Sequence, residues 1–313
     1  MVERYPSAIE LVEVGPRDGL QNEKRLLSPA DKLILIERAI GAGSRRIEVT
    51  SFVNPRAVPQ MADAEEVCAG LPRRADVTYI GLVMNGRGAD RAIATGRIDQ
   101  LGAVATATDR FGMANQGQTS QDSVQISRDI IDQARAAGLT GQATIAVAFG
   151  CPFEGEVSHD YVVEIASRLC EAGPVELALA DTIGVADPAH VEQLVARVRE
   201  AIAPIPVRVH FHNTRGTGLA NVWAAIGAGA SVVDASIGGL GGCPFAPAAT
   251  GNVATEDVVY MLQRAGIETG LNLEALIDAN LWLGTQMEKQ LPSMVAKAGL
   301  FPAKDHSLAG ARK

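Results

Sequence analysis

Short runs of β-branched and apolar residues alternate with longer stretches of helical periodicity along nearly the whole chain. Eight runs fit strands of barrel length: Ile9–Gly15, Arg46–Thr50, Thr78–Met84, Leu101–Thr106, Ala143–Phe149, Glu176–Ala180, Val207–Phe211 and Ser231–Ser236. Each is followed by a segment whose apolar residues recur every three to four positions, as one buried helix face requires. The first such segment shows its limits plainly. Ser28 suits the N-cap, Pro29 the first helical position, and Gly41 and Gly43 close the run KLILIERAI. Further helices are predicted over 63–70, 86–95, 120–137, 158–172, 187–202, 216–229 and 254–265. Strand and helix alternating eight times without a long break predict parallel strands joined by right-handed crossovers, so a (β/α)8 TIM barrel is expected. An open doubly wound sheet would want a glycine-rich phosphate turn after its first strand, where Gly15-Pro16-Arg17-Asp18-Gly19 instead places two charges. Residues 1–266 read as the barrel. Residues 267–313 read as a helical cap, helical over 272–290, with a frayed tail, all within the same domain.

Composition narrows the partners. The 313 residues carry 28 Lys+Arg against 36 Asp+Glu, a net charge of −8, which argues against nucleic acid and anionic membranes as partners. With 47% hydrophobic residues but only 4% aromatic, the core must be filled by aliphatic side chains and alanine. Cys68, Cys151, Cys170 and Cys243 form no CxxC pair, so neither a zinc knuckle nor a dithiol redox motif is indicated. The opening MVERYPSAIELVEV has neither a secretory apolar core nor an Arg/Ser-rich amphipathic stretch, and a cytoplasmic location is expected.

In such a barrel the chemistry sits at the carboxyl ends of the strands. Polar residues gather there: Arg17 and Asp18 after strand one, Glu48 and Thr50 on strand two, Asp181 and Thr182 after strand six, and His210-Phe211-His212-Asn213 at strand seven. His210 and His212 are two apart, so both imidazoles point to one face, the barrel mouth, while Phe211 points away. With oxygen ligands from Asp18 and Asn252 the pair forms a divalent-metal site that leaves two positions open for a hydroxy-acyl or keto substrate. Mixed nitrogen and oxygen ligation without thiolate favours Mg²⁺ or Mn²⁺ over zinc. Taken alone, an HxH pair is as readily a packed structural motif, and an isolated cysteine such as Cys243 a small buried hydrophobe. Cys243, however, lies in the glycine-dense loop GGLGGCPFAPAATGN, which lets backbone approach a substrate. Arg17 is a fixed cation for an oxyanion or enolate, or a loop salt bridge. His159, His190 and His306 fall at helix starts or in the tail and receive no role.

Six segments occur together and in order: VEVGPRDGLQNE (12–23), TSFVNPRAVPQM (50–61), GCPFEG (150–155), DTIGVADP (181–188), HFHNTRGTGLAN (210–221) and GGLGGCPFAPAATGNVATEDVVYML (238–262). Through them nearly the whole barrel resembles the metal-dependent 3-hydroxy-3-methylglutaryl-CoA lyases, in the wider group of barrel lyases and condensing enzymes that includes isopropylmalate synthase. The resemblance implies that Asp18, His210, His212 and Asn252 hold the metal, that Arg17 stabilises an enolate, and that Cys243 is the catalytic loop cysteine. It implies active-site acids at Glu48 and Asp181, the former supporting the arginine. Substrate contacts are expected from Arg17, Gln21, Thr182 and Arg215. The implied reaction is retro-Claisen: the 3-hydroxyl loses its proton, the C2–C3 bond breaks, and the acetyl-CoA enolate is protonated to leave acetoacetate as the second product. The base stays open among Asp181, His210 and a water on the metal. An acyl-CoA thioester as substrate, a place in leucine degradation and a homo-oligomer, dimer or larger, complete what the resemblance implies.

The chain also departs from the family. Where many members have Asp-Thr-Tyr after the HxH pair, it has Asn213-Thr214-Arg215, and the loop after strand four, TATDRFGMANQGQTS, is poor in lysine for a neighbour of CoA phosphates. Arg215 either grips the substrate's terminal carboxylate or pairs with an outer-loop acid. A related thioester such as citramalyl-CoA is therefore an alternative substrate. A Claisen-type condensing enzyme is a second alternative, and a non-catalytic binding barrel a third, against which the arginine and cysteine both stand.

Overall fold

A computed structural model describes residues 5–242 and 251–302. Eight parallel strands close into a barrel in chain order, each hydrogen-bonded to its sequence neighbours and the last to the first. They are β1 (Glu10–Glu13), β2 (Arg46–Ser51), β3 (Thr78–Val83), β4 (Gln100–Thr106), β5 (Thr140–Ala146), β6 (Leu177–Asp181), β7 (Val207–Phe211) and β8 (Val232–Ala235). Around them run α1 (Pro29–Gly41), α2 (Ala64–Gly70), α3 (Gly86–Ala94), α4 (Asp109–Gln116), α5 (Ser120–Ala136), α6 (His159–Cys170), α7 (Pro188–Ile202), α8 (Gly218–Gly227) and α9 (Thr255–Arg264). The chain is thus the expected (β/α)8 barrel. Ser28 caps α1 as expected, its Oγ accepting from the Asp31 N–H at 3.1 Å.

Three sequence expectations are corrected. The segment after β4, expected to be a loop, holds α4, a mostly polar helix that buries only Phe111 and Gly112 and ends on Gly117 in the left-handed region. Its few apolar positions leave almost no periodic signal. Strand β5 begins three residues earlier than expected and ends at Ala146 rather than Phe149. The polar start is used inward, Gln142 accepting from Gln100 at 3.3 Å, and Val147 turns the chain with φ of 52° while its N–H donates to Thr182 Oγ1 at 2.8 Å. Strand β1 stops at Glu13, and Gly15–Gly19 form one π-helical turn, so Arg17 and Asp18 sit on that turn rather than on a strand end.

The C-terminal segment holds two helices up to residue 302, and the end of the expected tail lies outside the described residues. Helix α10 (Leu273–Met287) packs on α1 and α9. Helix α11 (Met294–Ala298) is anchored by Asp257, which accepts from Ser293 Oγ at 2.8 Å and from the N–H groups of Met294 and Val295 at 3.0 and 2.8 Å.

Aliphatic side chains fill the layer between strands and helices, Ile47, Leu101, Leu179 and Val209 among them. Among the described residues Val12, Val14, Ile80 and Val232 form a small apolar cluster inside the barrel. Beside it runs a column of charges. Arg46 makes paired hydrogen bonds to Glu176 at 2.9 and 2.6 Å and reaches Glu10 at 2.9 Å, while Arg208 lies 3.2 Å from Glu176 and 3.6 Å from Asp234. Charges so far from water persist because each finds an opposite partner. This interior column leads upward to the mouth.

Candidate active site

The mouth is a cavity of about 130 Å³ with one polar and one apolar side. Period-two alternation on β7 sends Arg208, His210 and His212 inward and Val209 and Phe211 outward into the helix layer, as expected for an HxH pair. The π-helical turn brings Asp18 over them. Its Oδ2 lies 3.9 Å from His210 Nε2 and 3.8 Å from His212 Nε2. Asn252 completes the group, its Nδ2 donating to Asp18 Oδ2 at 2.7 Å and to the Leu240 carbonyl at 3.0 Å. Among the described residues Asn252 Oδ1 and His212 Nδ1 are buried without a hydrogen-bond partner. A carboxylate and two imidazoles converging on one point, with the Asn252 amide against the carboxylate and its oxygen unpartnered, are a donor set that suits a divalent cation, and Asp18, His210 and His212 are the one such group of ligands among the described residues.

Protonation follows from the neighbours. Burial pushes the Asp18 carboxyl up, but Arg17, His210 and His212 overrule it and hold it well below the usual range. Burial, reinforced by His210, holds His212 down to about 4, so it is neutral and able to ligate. For His210 burial is outweighed by the hydrogen bond with Asp234 and by Asp18, and the net direction is upward.

Arg17 stands beside the metal group. Its Nε donates to Glu48 Oε1 in a very short contact, and its Nη1 donates to Asp18 Oδ1 at 2.5 Å. Burial opposes the guanidinium charge, yet the two carboxylates raise its pKa. Glu48 is inward on β2, and burial outweighs Arg17 in pushing its carboxyl up. Gln21 and Thr182 also line the cavity, Gln21 Oε1 accepting from Ser51 Oγ at 3.3 Å.

Two expected residues lie elsewhere. Asp181 ends β6 on the helix side of the alternation, between inward Ala180 and Thr182. Its two oxygens accept from the Val185 and Ala186 N–H groups at 2.9 and 3.1 Å, and burial raises its pKa. Arg215 donates to the carbonyls of Ile183 and Gly184 at 3.0 and 2.7 Å, pinning the turn after β6, and Asn213 Oδ1 accepts the Gly218 N–H at 3.0 Å. Neither Arg215 nor Asn213 lines the cavity. Cys243 lies outside the described residues, but Gly242, just before it, lines the cavity and its carbonyl accepts from Asn22 Nδ2 at 2.6 Å.

Several wall residues were overlooked in the sequence. Asp234 and Arg208 reach the cavity from β8 and β7, and Phe111 and Asn115 come from α4. The first two were detectable, since each interrupts an apolar strand at an inward position.

A family model described as HMGL-like matches residues 8–281. A hydroxymethylglutaryl-CoA lyase of Bacillus subtilis is 41% identical over 289 residues, 92% of this chain and 96% of that protein. An (R)-citramalyl-CoA lyase of Chloroflexus aurantiacus is 43% identical over 303 residues, 93% of this chain and 95% of that protein. An HMG-CoA lyase of Acinetobacter baumannii, solved with coenzyme A and 3-methylmalate, superposes with a TM-score of 0.90 at 40% identity, covering 96% of this chain and 97% of the other.

Proposed function

The chain belongs to the HMGL-like family, and on that premise we propose that it is a divalent-metal-dependent lyase cleaving 3-hydroxy-3-methylglutaryl-CoA to acetyl-CoA and acetoacetate. The observation that carries this reading is the meeting of Asp18, His210 and His212, with Asn252 bonded to Asp18, beside the Arg17–Glu48 pair at the cavity. Those four residues would hold Mg²⁺ or Mn²⁺. When bound, the cation supplies Lewis acidity that lowers the pKa of a substrate hydroxyl.

The remaining work falls to the chain's own groups. Glu48 takes the 3-hydroxyl proton. Of the cavity carboxylates, Asp18 belongs to the ligand group and Asp234 faces His210 and Arg208, which leaves Glu48, and burial makes it the stronger base. His210 has Nδ1 engaged by Asp234 and Nε2 turned toward Asp18, which leaves it no nitrogen for the task. As the C2–C3 bond breaks, C3 becomes a ketone carbon and its electron pair passes to the thioester fragment as an enolate. Protonation of Glu48 releases Arg17 from an ion pair at that moment, freeing its charge for the enolate oxygen. A proton returned to C2, for which Cys243 is the proposed donor, completes acetyl-CoA. Gln21 and Thr182 are the proposed substrate contacts. Arg215 is assigned to holding the turn after β6, through its bonds to Ile183 and Gly184.

A second substrate, citramalyl-CoA, is favoured by one observation: the citramalyl-CoA lyase relative matches this chain at 43%, alongside 41% for the hydroxymethylglutaryl-CoA lyase. Both thioesters present a tertiary 3-hydroxyl and release acetyl-CoA, so the same residues serve either. The test is acetyl-CoA release from each thioester, with Mn²⁺ and again after chelation. Metal-dependent cleavage of 3-hydroxy-3-methylglutaryl-CoA is expected. Cleavage of citramalyl-CoA alone would move the assignment to the second substrate, and cleavage of neither would overturn both. Among the described residues no helix is long and apolar enough to cross a membrane. With the first substrate the chain would act in leucine degradation, as a cytoplasmic homo-oligomer whose size sedimentation velocity would measure.

A further inference from the structure

His210 Nδ1 lies 3.1 Å from Asp234 Oδ2, and both side chains are buried. The other Asp234 oxygen, Oδ1, faces Arg208 Nε at 3.6 Å. Arg208 is itself almost wholly enclosed, with Nη1 at 3.2 Å from Glu176 and Nη2 donating to Thr144 Oγ1 at 3.2 Å. Arg208 has only donors to offer, and a carboxylate only acceptors. Arg208 therefore faces Asp234 as an ion pair with no hydrogen bond between them, and the ionised Asp234 accepts from His210 Nδ1. In the neutral ring that leaves the Nε2 lone pair, the one facing Asp18, without a proton.

We propose that Asp234 is a positioning residue that fixes the tautomer and ring orientation of His210, and that Arg208 fixes the orientation of Asp234. The proposal rests on the metal reading of Asp18, His210, His212 and Asn252. An imidazole ligand whose second nitrogen donates to a carboxylate is held in the ligating tautomer and made more basic, and loss of such support weakens binding.

The cation on one side of Asp234 and the imidazole on the other give the test its discrimination. In Asp234→Asn the amide can offer Arg208 only its oxygen, which turns its NH2 toward His210 Nδ1. The imidazole must then accept there, and its proton moves to Nε2, where it blocks ligation. Asp234→Ala removes more atoms but imposes no tautomer. Binding of Mn²⁺ to the metal-free protein, followed by the paramagnetic resonance of free Mn²⁺, is expected to weaken by roughly 10–100-fold in Asp234→Asn and by less in Asp234→Ala. A purely structural role predicts the reverse order, because alanine leaves the larger void.

Nitrogen-15 spectra of histidine-labelled wild type at alkaline pH provide a readout that does not depend on a variant folding. The expected His210 signal is that of a neutral ring protonated at Nδ1. A ring protonated at Nε2, or an Asp234→Asn variant that binds Mn²⁺ as tightly as wild type, overturns the proposal while leaving the metal site in place. Wild type that fails to bind Mn²⁺ at all overturns the metal reading and this proposal with it.

Discussion

Arg17 carries two demands at once, pairing with Glu48 and Asp18 at rest and answering charge on a substrate oxygen during the reaction. A lysine at this position keeps one positive charge but loses the planar fork that reaches several partners together. Arg17→Lys is expected to bind Mn²⁺ nearly as wild type does while kcat falls roughly 10²–10³-fold, the usual loss for one oxyanion donor. Steady-state rates beside a Mn²⁺ titration decide it, and parallel loss of metal binding would remove the enolate role. Glu48→Gln separates orientation from proton transfer, since the amide oxygen can still accept from Arg17 Nε. The wild-type kcat/KM should rise with pH through the Glu48 ionisation, at a pH above the ordinary carboxylate range because burial pushes that pKa up. Glu48→Gln should lose roughly 10²–10⁴-fold and lose that acid limb as well. A retained limb would assign the base elsewhere. Of these side chains, the histidine pair was legible because alternation on a strand leaves no freedom. The same parity count sends Asp181 outward while Ala180 and Thr182 face in, a placement that its position at a strand end alone does not reveal.

The elements were legible where packing repeats and obscure where it does not. Helices such as α1 and α7 bury one apolar face against the barrel and announce it every three to four residues. Helix α4 buries two residues, and the start of β5 buries a glutamine against another glutamine, so neither leaves an apolar pattern. The π-helical turn after β1 owes its shape to a partner distant in sequence. Glu13 is fully enclosed and accepts from the N–H groups of Gly15 and Ile237 at 2.8 and 2.9 Å and from Thr255 Oγ1 at 2.7 Å, tying the turn that bears Asp18 to the segment after β8. A Cβ on Gly15 would stand 2.6 Å from Glu13 Oε1 and 3.3 Å from Ser236 Oγ. Because the carboxylate is held by three donors it cannot simply swing away. Gly15→Ala is expected to destabilise the fold by about 1–3 kcal/mol, the usual range for overpacking a dense interior. In thermal unfolding that corresponds to a lowering of the midpoint by roughly 2–4 °C per kcal/mol for a chain of this general size. Mn²⁺ affinity should fall with it, since Asp18 rides on the displaced turn. An unchanged midpoint would show that the turn yields without cost.

Across the whole barrel, burial of acids has a consequence for stability that no single site displays. Glu13 is pushed up to about 7 and Glu256 to about 8, in both cases mainly because burial disfavours the charged form. Glu256 accepts the Gly238 N–H with both oxygens at 3.0 and 3.2 Å, on the same segment that Glu13 clamps. Each group keeps its proton in the folded chain over a range where the unfolded chain has lost it. Their stabilising contribution is complete below the ordinary glutamate value of 4.5 and drains away as pH rises through the folded values. His212, held at about 4, acts in the opposite sense, but only until the unfolded imidazole loses its proton near 6.5. Between pH 6.5 and 8 the carboxyls therefore pull stability down, and His210, whose pKa is raised, acts in the same direction. In the metal-free protein, stability is expected to fall across that window by on the order of 1 kcal/mol per pH unit for each carboxyl still protonated. Glu256→Gln should flatten the fall toward its upper end, above the Glu13 value of about 7. Denaturant unfolding of wild type and variant at several pH values measures both slopes. Equal slopes would show that Glu256 is already ionised in the folded chain, and that the clamp on Gly238 is made by a carboxylate throughout.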